Sequence, residues 1–281
     1  MREGPSAYRY DVFVSTTRRD SVQSLERAFD LFEALAAGGE LGVTELAERT
    51  GLVPSTAHRL LATLTKRGYV TQSSISGRYM LGYKVVEVAS GVEHRLARLR
   101  AVARPHLERI QQATGETTNL VVLDGDHVVY VDQVEGSRRV RMFTVVGTAA
   151  LAHTTGAGKA IMAYGPPEVV TSLFAGGEPL ERLTPRTLVT AEALEDDFTR
   201  IRRRGYAIDQ EEHEEGVGCV ATPLFDHTGR PCAAISVSGP SARIVDADTA
   251  ELGALLVEHA GQISEALGCR PPASVPASAA G

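Results

Sequence analysis

Between Val22 and Leu81 the chain carries three short runs of helical apolar spacing and then a β-rich segment with a polar turn, an order that few folds accept. Val22, Leu25, Phe29, Phe32 and Leu35 recur at helical intervals until "AGG" stops the run. "TELAERTG" fits a second short helix, with Thr44 as N-cap and Gly51 at its end. A third begins near Ser55, places Ala57, Leu60, Leu61 and Leu64 on one stripe, and stops at Gly68. "YVTQSSISGRYML" then has the composition of a short hairpin. Three helices followed by a hairpin is the order of a winged helix-turn-helix.

The same window is free of carboxylates. No Asp or Glu occurs between Glu48 and Glu87, although the whole chain is acidic at net −6. If the stripe through Leu60 and Leu64 faces the core, then Ser55, Thr56, His58, Arg59, Thr63, Lys66 and Arg67 turn outward. Such a helix suits the major groove, with its N-terminal side chains at base edges. Arg59 matches guanine O6 and N7, while Ser55 and Thr56 match phosphate or base. Arg78, on the hairpin, is placed to reach a phosphate or the adjacent minor groove. Carboxylates here would repel phosphates and give back part of the counterion-release gain. A solvated basic face is the plainer meaning of scattered Lys and Arg. Helix order, hairpin and acid-free gap agree, however, and together favour double-stranded DNA.

A chain of 281 residues has room for two domains. Residues 1–98 hold 13 Lys/Arg against 11 Asp/Glu, and residues 99–281 hold 16 against 24, so nets of +2 and −8 separate the two halves. The asymmetry suits one module facing a polyanion joined to one that does not. No apolar run approaches the roughly 20 residues that span a bilayer, so no membrane role is expected. Cys219, Cys232 and Cys269 lie far apart with no C-x-x-C pair, and a reducing cytoplasm is the natural reading. Residues 1–20 read as a mobile arm and 271–281, Pro/Ala/Ser-rich, as a disordered tail. A winged helix-turn-helix over 21–83 leads into a linker helix over 84–98, with Val85, Val88, Val92, Leu96 and Leu99 along one side, able to pair with a second chain. Pro105 is placed to open a new helix at its first turn.

From residue 99 to 270 hairpins alternate with helices, the pattern of an α+β domain on a mostly antiparallel sheet. "LVVLDGDHVVYVDQV" reads as a hairpin around Asp124–Asp126, and "RVRMFTVVG" as another strand. Helices are expected over "GAGKAIMAY", after Thr190, and through Leu252, Leu256, Ile263 and Leu267; "VATPLFDHTGRPCAAISVSG" is a second hairpin.

With "GLVPSTAHRLLATLTKRGYV", "GRYMLG", "ARPHLERIQQATGET", "VVYVDQVEGS", "HTTGAGKAIMA", "RRRGYAIDQEEHEEGVGCVA" and "AAISVSGPSARI" in this order, residues 21–268 resemble the IclR family of bacterial transcription regulators. The resemblance implies an N-terminal winged helix, a linker helix and a C-terminal GAF-like domain that binds a small effector. It also implies a homodimer or dimer of dimers on a palindromic operator, with repression the commoner outcome. By motif position the effector pocket would use Met142, Gly156, Ala157, Asp209, Cys219, Ser236 and Ser238. Ala149, Ala150 and Ala152 stand where many relatives have bulkier residues or an arginine and proline, which bears on pocket size.

The residues can be read for chemistry beside that resemblance. "TTGAGKA" starts a helix with small residues, leaving the Gly156 and Ala157 N–H groups open to an anion; equally, Gly156 and Gly158 would permit tight packing. It is not a Walker A loop, since His153 stands at the first glycine and Ala160 replaces the Ser/Thr. Ser236 and Ser238 share one strand face while Ile235 and Val237 take the other. If Phe225 pairs with Arg230 across an Asp226–Gly229 loop, Cys219 falls opposite Ser236 and joins the serines, far from Cys232. A carboxylate at Asp209 repels an anionic ligand unless it takes a proton or accepts from a ligand hydroxyl or amine. A small organic acid is therefore the expected ligand, with no cofactor. "DQEEHEEG" offers Asp209, Glu211 and His213, with His153 or Cys219, as zinc ligands, but Glu-rich loops are ordinarily solvated and no metal is expected. The rival function is an enzyme with Cys219 as nucleophile, His213 as base and the Gly156–Ala157 amides as oxyanion hole. It leaves the winged helix without work.

Overall fold

Residues 22–245 and 249–269 are described by the computed structural model; the expected arm at 1–20 and tail at 271–281 lie outside the described residues. The chain divides into two compact units between Arg95 and Leu96.

The first unit holds α1 (Gln23–Gly38), α2 (Val43–Thr50), α3 (Pro54–Lys66) and a two-stranded antiparallel ribbon of β1 (Val70–Gln72) and β2 (Tyr79–Leu81). Its core is Leu31, Leu35, Leu41, Leu46, Ala57, Leu61, Val70 and Tyr79. On α1 the buried stripe runs through Leu31 and Leu35, whereas Val22, Leu25 and Phe29 are 63%, 54% and 56% exposed. Both stripes have helical spacing, so spacing alone does not choose between them. Thr44 is not a cap: Gly42, two residues earlier, is the N-cap and the helix starts at Val43, which puts Thr44 inside the first turn. Gly51, at φ 67°, closes α2 in the left-handed region and its N–H returns to the Ala47 and Glu48 carbonyls, which sets the tight turn into α3. Pro54 opens α3, where its missing N–H costs nothing.

One helix, α4 (Lys84–Thr114), crosses the division, and Pro105 lies inside it instead of opening a new one. A proline gives up the bond to the carbonyl four residues back. Burial of Ala103, Leu107 and Ile110 on either side carries the helix through.

The second unit is built on six antiparallel strands in the order β5-β4-β3-β8-β7-β6. These are β3 (Thr117–Asp124), β4 (His127–Val134), β5 (Ala149–Leu151), β6 (Ala207–Gln210), β7 (Val217–Phe225) and β8 (Pro231–Pro240). After β5 come a 3-10 turn at Ala152–Thr154, α5 (Gly156–Tyr164), α6 (Pro167–Leu173) and α7 (Ala191–Arg204); α8 (Ser241–Ile244) and α9 (Thr249–Ala266) close the chain. Leu107 and Ile110 of α4, with Leu256 and Ile263 of α9, pack on the sheet face bearing Leu120, Val220, Ile235 and Val237. Ala157, Ala160 and Ile161 of α5, with Leu194, Phe198 and Ile201 of α7, cover the face bearing Val121, Cys219, Ala221 and Ala234. Among the described residues, no helix is long and apolar enough to cross a membrane.

Two expectations about this sheet are corrected. "RVRMFTVVG" is not a strand. The Val140 carbonyl accepts from Arg243, the Met142 carbonyl accepts from the Thr117 hydroxyl at 2.8 Å, and the Gly147 N–H donates to the Tyr130 carbonyl. Its backbone bonds are scattered over three elements, and Val140, Phe143 and Val145 face solvent. In the β7–β8 hairpin, Phe225 pairs with Pro231 rather than Arg230, and a bulge at Cys232 adds a second slip. Cys219 therefore lies opposite Ser238, and Ser236 opposite Ala221. Two one-residue slips preserve parity, so Cys219 still shares the serine face.

Candidate nucleic-acid surface and effector pocket

On α3 the burial of Ala57 and Leu61 fixes the opposite side as solvent-facing. Ser55, His58, Arg59, Thr63, Lys66 and Arg67 are exposed there and Thr56 is half-buried at its edge. No side chain caps the N-terminus of α3 and no acid occupies its first turn, so the positive end of the helix is left uncompensated. The Thr63 hydroxyl turns back to the Arg59 carbonyl at 3.1 Å. Arg78 is the exception among the sequence-predicted residues. Its guanidinium donates to the Glu40 carbonyl at 3.0 and 3.1 Å and pairs with Glu45 at 2.8 Å, which ties the ribbon to α2.

The pocket of the second unit starts from strand pairing. Directly opposed residues share a face. Asn119 pairs with Ser236 across β3–β8, Ser238 with Cys219 across β8–β7, and Cys219 with Asp209 across β7–β6. Two neighbouring rows of the sheet, Asn119–Ser236 and Ser238–Cys219–Asp209, thus form one polar patch over four strands on the side covered by α5. Around it close Tyr130, Met142, Thr144, Thr155, Ala157, His213 and Val217. The enclosed space is about 20 Å³, room for one water, so a larger ligand must displace a wall. Met142 and Thr144 belong to the irregular stretch after β4, outside the strand ladder.

Both helix-start glycines have a purpose, and not the same one. A Cβ on Gly158 would sit 2.1 Å from the Ala152 carbonyl oxygen, so Gly158 serves close packing. A Cβ on Gly156 would lie 3.2 Å from the Cys219 sulfur and 3.4 and 3.5 Å from the Cys219 carbonyl and the Asp209 nitrogen, so Gly156 lets α5 start against the two strands that carry Cys219 and Asp209. Thr155 caps α5 by accepting the Gly158 N–H at 3.0 Å. The Gly156 and Ala157 N–H groups precede any intrahelical acceptor.

The electrostatics were less legible. Lys159, next in α5 and 1% exposed, donates to both Glu212 carboxylate oxygens at 2.6 and 2.7 Å, pairs with Asp197 at 2.9 Å and donates to the Ile208 carbonyl. Burial opposes the ammonium, but Glu212 and Asp197 together outweigh it and hold its pKa above the ordinary value. Burial and the Glu212 charge push the Asp209 carboxyl up to about 7, and Asp209 Oδ1 accepts the Glu212 N–H at 2.7 Å. Burial, helped by Asp209, raises the Cys219 thiol to about 12. The Asn119 amide reaches Ser236 and Ser238 at 3.4 and 3.5 Å, while its Oδ1 has no hydrogen-bond partner among the described residues.

Two family models match the chain: "IclR helix-turn-helix domain" over residues 24–74 and "Bacterial transcriptional regulator IclR C-terminal" over residues 94–265. The chain belongs to the IclR family. Its similarity to the transcriptional repressor IclR of Escherichia coli K12 is 39% identity over 251 residues, 88% of this chain and 90% of that one. With the HTH-type transcriptional regulator BhcR of Paracoccus denitrificans it shares 37% over 243 residues, 86% of each. A solved IclR homolog from Microbacterium hydrocarbonoxydans, complexed with 4-hydroxybenzoate, superposes with a TM-score of 0.72 at 28% identity, covering 87% of this chain and 98% of that one. IclR-family proteins are DNA-binding transcriptional regulators, often repressors, with a C-terminal effector-binding domain.

Within this IclR-family chain the structure gathers Met142, Ala157, Asp209, Cys219, Ser236 and Ser238 into one lining, with Gly156 beneath. Sequence reasoning missed Asn119, Tyr130, Thr144 and the Lys159 cluster as parts of it. Two of these carried a signal. Asn119 is a strand-averse residue directly before the apolar run Leu120–Leu123, and Lys159 stands in a helix that is otherwise small or apolar all round. The enzyme alternative finds no activated nucleophile: the thiol is protonated at neutral pH, and His213 Nδ1 is engaged with the Thr154 hydroxyl at 2.9 Å. For the zinc alternative, no group of three or more His, Cys, Asp or Glu suited to a metal occurs among the described residues, and Glu212 of the "DQEEHEEG" loop is taken by Lys159.

Proposed function

We propose that α3 is the recognition helix of a repressor, and that a small organic acid in the second unit's pocket modulates its hold on a palindromic operator. The observation that carries this reading is the polar patch itself. Asn119, Ser236, Ser238, Cys219 and Asp209 lie buried on a sheet face that also carries Val121, Val128, Ala150, Ala207, Ala221 and Ala234. A face built only for packing has no use for hydroxyls, an amide and a carboxyl side by side. They meet the N-terminus of α5, where the Gly156 and Ala157 N–H groups suit a carboxylate.

On the DNA side, Ser55, Thr56, His58, Arg59, Thr63, Lys66 and Arg67 address the duplex, while Arg78 holds the ribbon in place. The chain acts as a homodimer or dimer of dimers, with half-sites about 34 Å apart or a multiple of that. The exposed Val88 and Val92 on α4 support pairing with a second copy. An effector shifts the balance between DNA-competent and incompetent arrangements only as far as it binds one better. The helix that runs through residues 84–98 transmits the change.

Gel retardation on the native promoter tests the DNA half. The double variant Arg59→Glu, Lys66→Glu is expected to weaken retention on the order of 100-fold near physiological salt. Undiminished retention would overturn the assignment of α3.

A further inference from the structure

We propose that the pocket takes its carboxylate ligand together with a proton, and that Asp209 is the group that carries it. The proposal rests on the effector reading above and commits to a charge state for the bound complex.

It stands on a count of buried charge. Behind the pocket lie one buried ammonium, Lys159, and three carboxyl groups, Asp197, Asp209 and Glu212, that are 6%, 4% and 5% exposed. Lys159 is shared between Glu212 and Asp197, and Arg200 reaches Asp197 from the surface at 3.3 Å. These contacts use up the cations. Asp209 faces Cys219 across the β6–β7 ladder, Glu212 and His213 from the turn that follows β6, and Lys159 from α5 at longer range. His213 is kept neutral by burial and by His153. The Asp209 carboxyl accepts from the Glu212 N–H at 2.7 Å and from the His213 backbone N–H, and these two bonds do not outweigh its burial and the nearby Glu212 charge.

An ionised Asp209 and a ligand carboxylate would be two anions in one desolvated site, the arrangement that forces two carboxyls to share a proton. With Asp209 protonated, its O–H donates to the ligand carboxylate, and Ser236, Ser238 and the α5 amides supply the remaining donors. Above neutrality the proton comes from solvent and the complex gains no net charge; below it Asp209 already carries the proton. Because the free carboxyl titrates near neutrality, affinity for an acid is level below pH 6 and falls about tenfold for each pH unit above 7.5.

Isothermal titration of the full chain against 4-hydroxybenzoate and C2–C5 2-oxo acids, in paired buffers of different ionisation enthalpy, tests it. Near zero protons should be taken up per ligand at pH 6 and near one at pH 8. Asp209→Asn should abolish the uptake, flatten the pH profile and tighten binding at pH 8. Carbon-13 NMR of the ligand-free chain, with Asp209→Asn to assign the signal, should give a carboxyl midpoint near neutrality. A midpoint below 5, acid binding at pH 8 without proton uptake, or equal loss of affinity in Asp209→Asn at both pH values would overturn the proposal and leave the effector reading standing. Failure of every acid to bind would overturn both.

Discussion

The cations of α3 and the single cation of α5 are opposites built from the same chemistry. Arg59, Lys66 and Arg67 lie at the surface with no ion pair among the described residues, and their side chains are solvated until a polyanion arrives. Lys159 is stripped of water and surrounded by carboxylates that the fold itself supplies. The first arrangement spends no folding free energy and keeps its charge for a partner. The second stiffens the turn from Asp209 to His213, where Glu211 holds a left-handed φ of 64° and Thr184 and Thr187 bind the Glu211 and Glu212 carbonyls. Surface charge is thus available for recognition, whereas buried charge sets the shape and proton affinity of a site.

The comparison breaks most sharply at Lys159. Lys159→Met strands two buried carboxylates and should cost about 3–5 kcal/mol in denaturant unfolding at pH 7.5. The orphaned carboxyls then have folded-state pKa values above their unfolded ones, so the deficit should shrink as pH falls toward 5. A deficit independent of pH would mean that lost packing, not charge, is responsible. Gly158→Ala comes next, since its methyl would overlap the Ala152 carbonyl; a loss of about 1–3 kcal/mol is expected. Gly156→Ala meets the Cys219 sulfur at 3.2 Å, with the Cys219 carbonyl and the Asp209 nitrogen at 3.4 and 3.5 Å, a milder contact that should disturb ligand affinity more than stability; a thermal melt with and without acid separates the two. The smallest effect belongs to the exposed Arg49–Glu45 pair, where Arg49→Ala should change stability by less than about 1 kcal/mol.

How much of this was legible in the sequence follows the same division. The exposed face of α3 follows from a stripe and a charge gap, both local, and Ser55, His58, Arg59, Thr63, Lys66 and Arg67 are outward as that stripe requires. Arg78 has the composition of a DNA contact, and only the approach of Glu45 from α2 shows that its fork is occupied. The face shared by Ser236, Ser238 and Cys219 was readable because strand parity survives an error of two in register. The Lys159 cluster was not, because its partners come from α7 and from a Glu-rich loop whose composition reads as solvated. Pro105 and the stretch around Met142 failed for a related reason: local preference was overruled by neighbours distant in sequence.

The paired slips in the β7–β8 hairpin have a consequence for how this site can change. Removing one residue between Phe225 and Cys232 would carry Ser236 and Ser238 to the α9 side and deliver Ile235 and Val237 to the ligand. Turn length at the far end of the hairpin is therefore itself a determinant of specificity. Viable insertions or deletions there come in twos, or arrive with a compensating bulge.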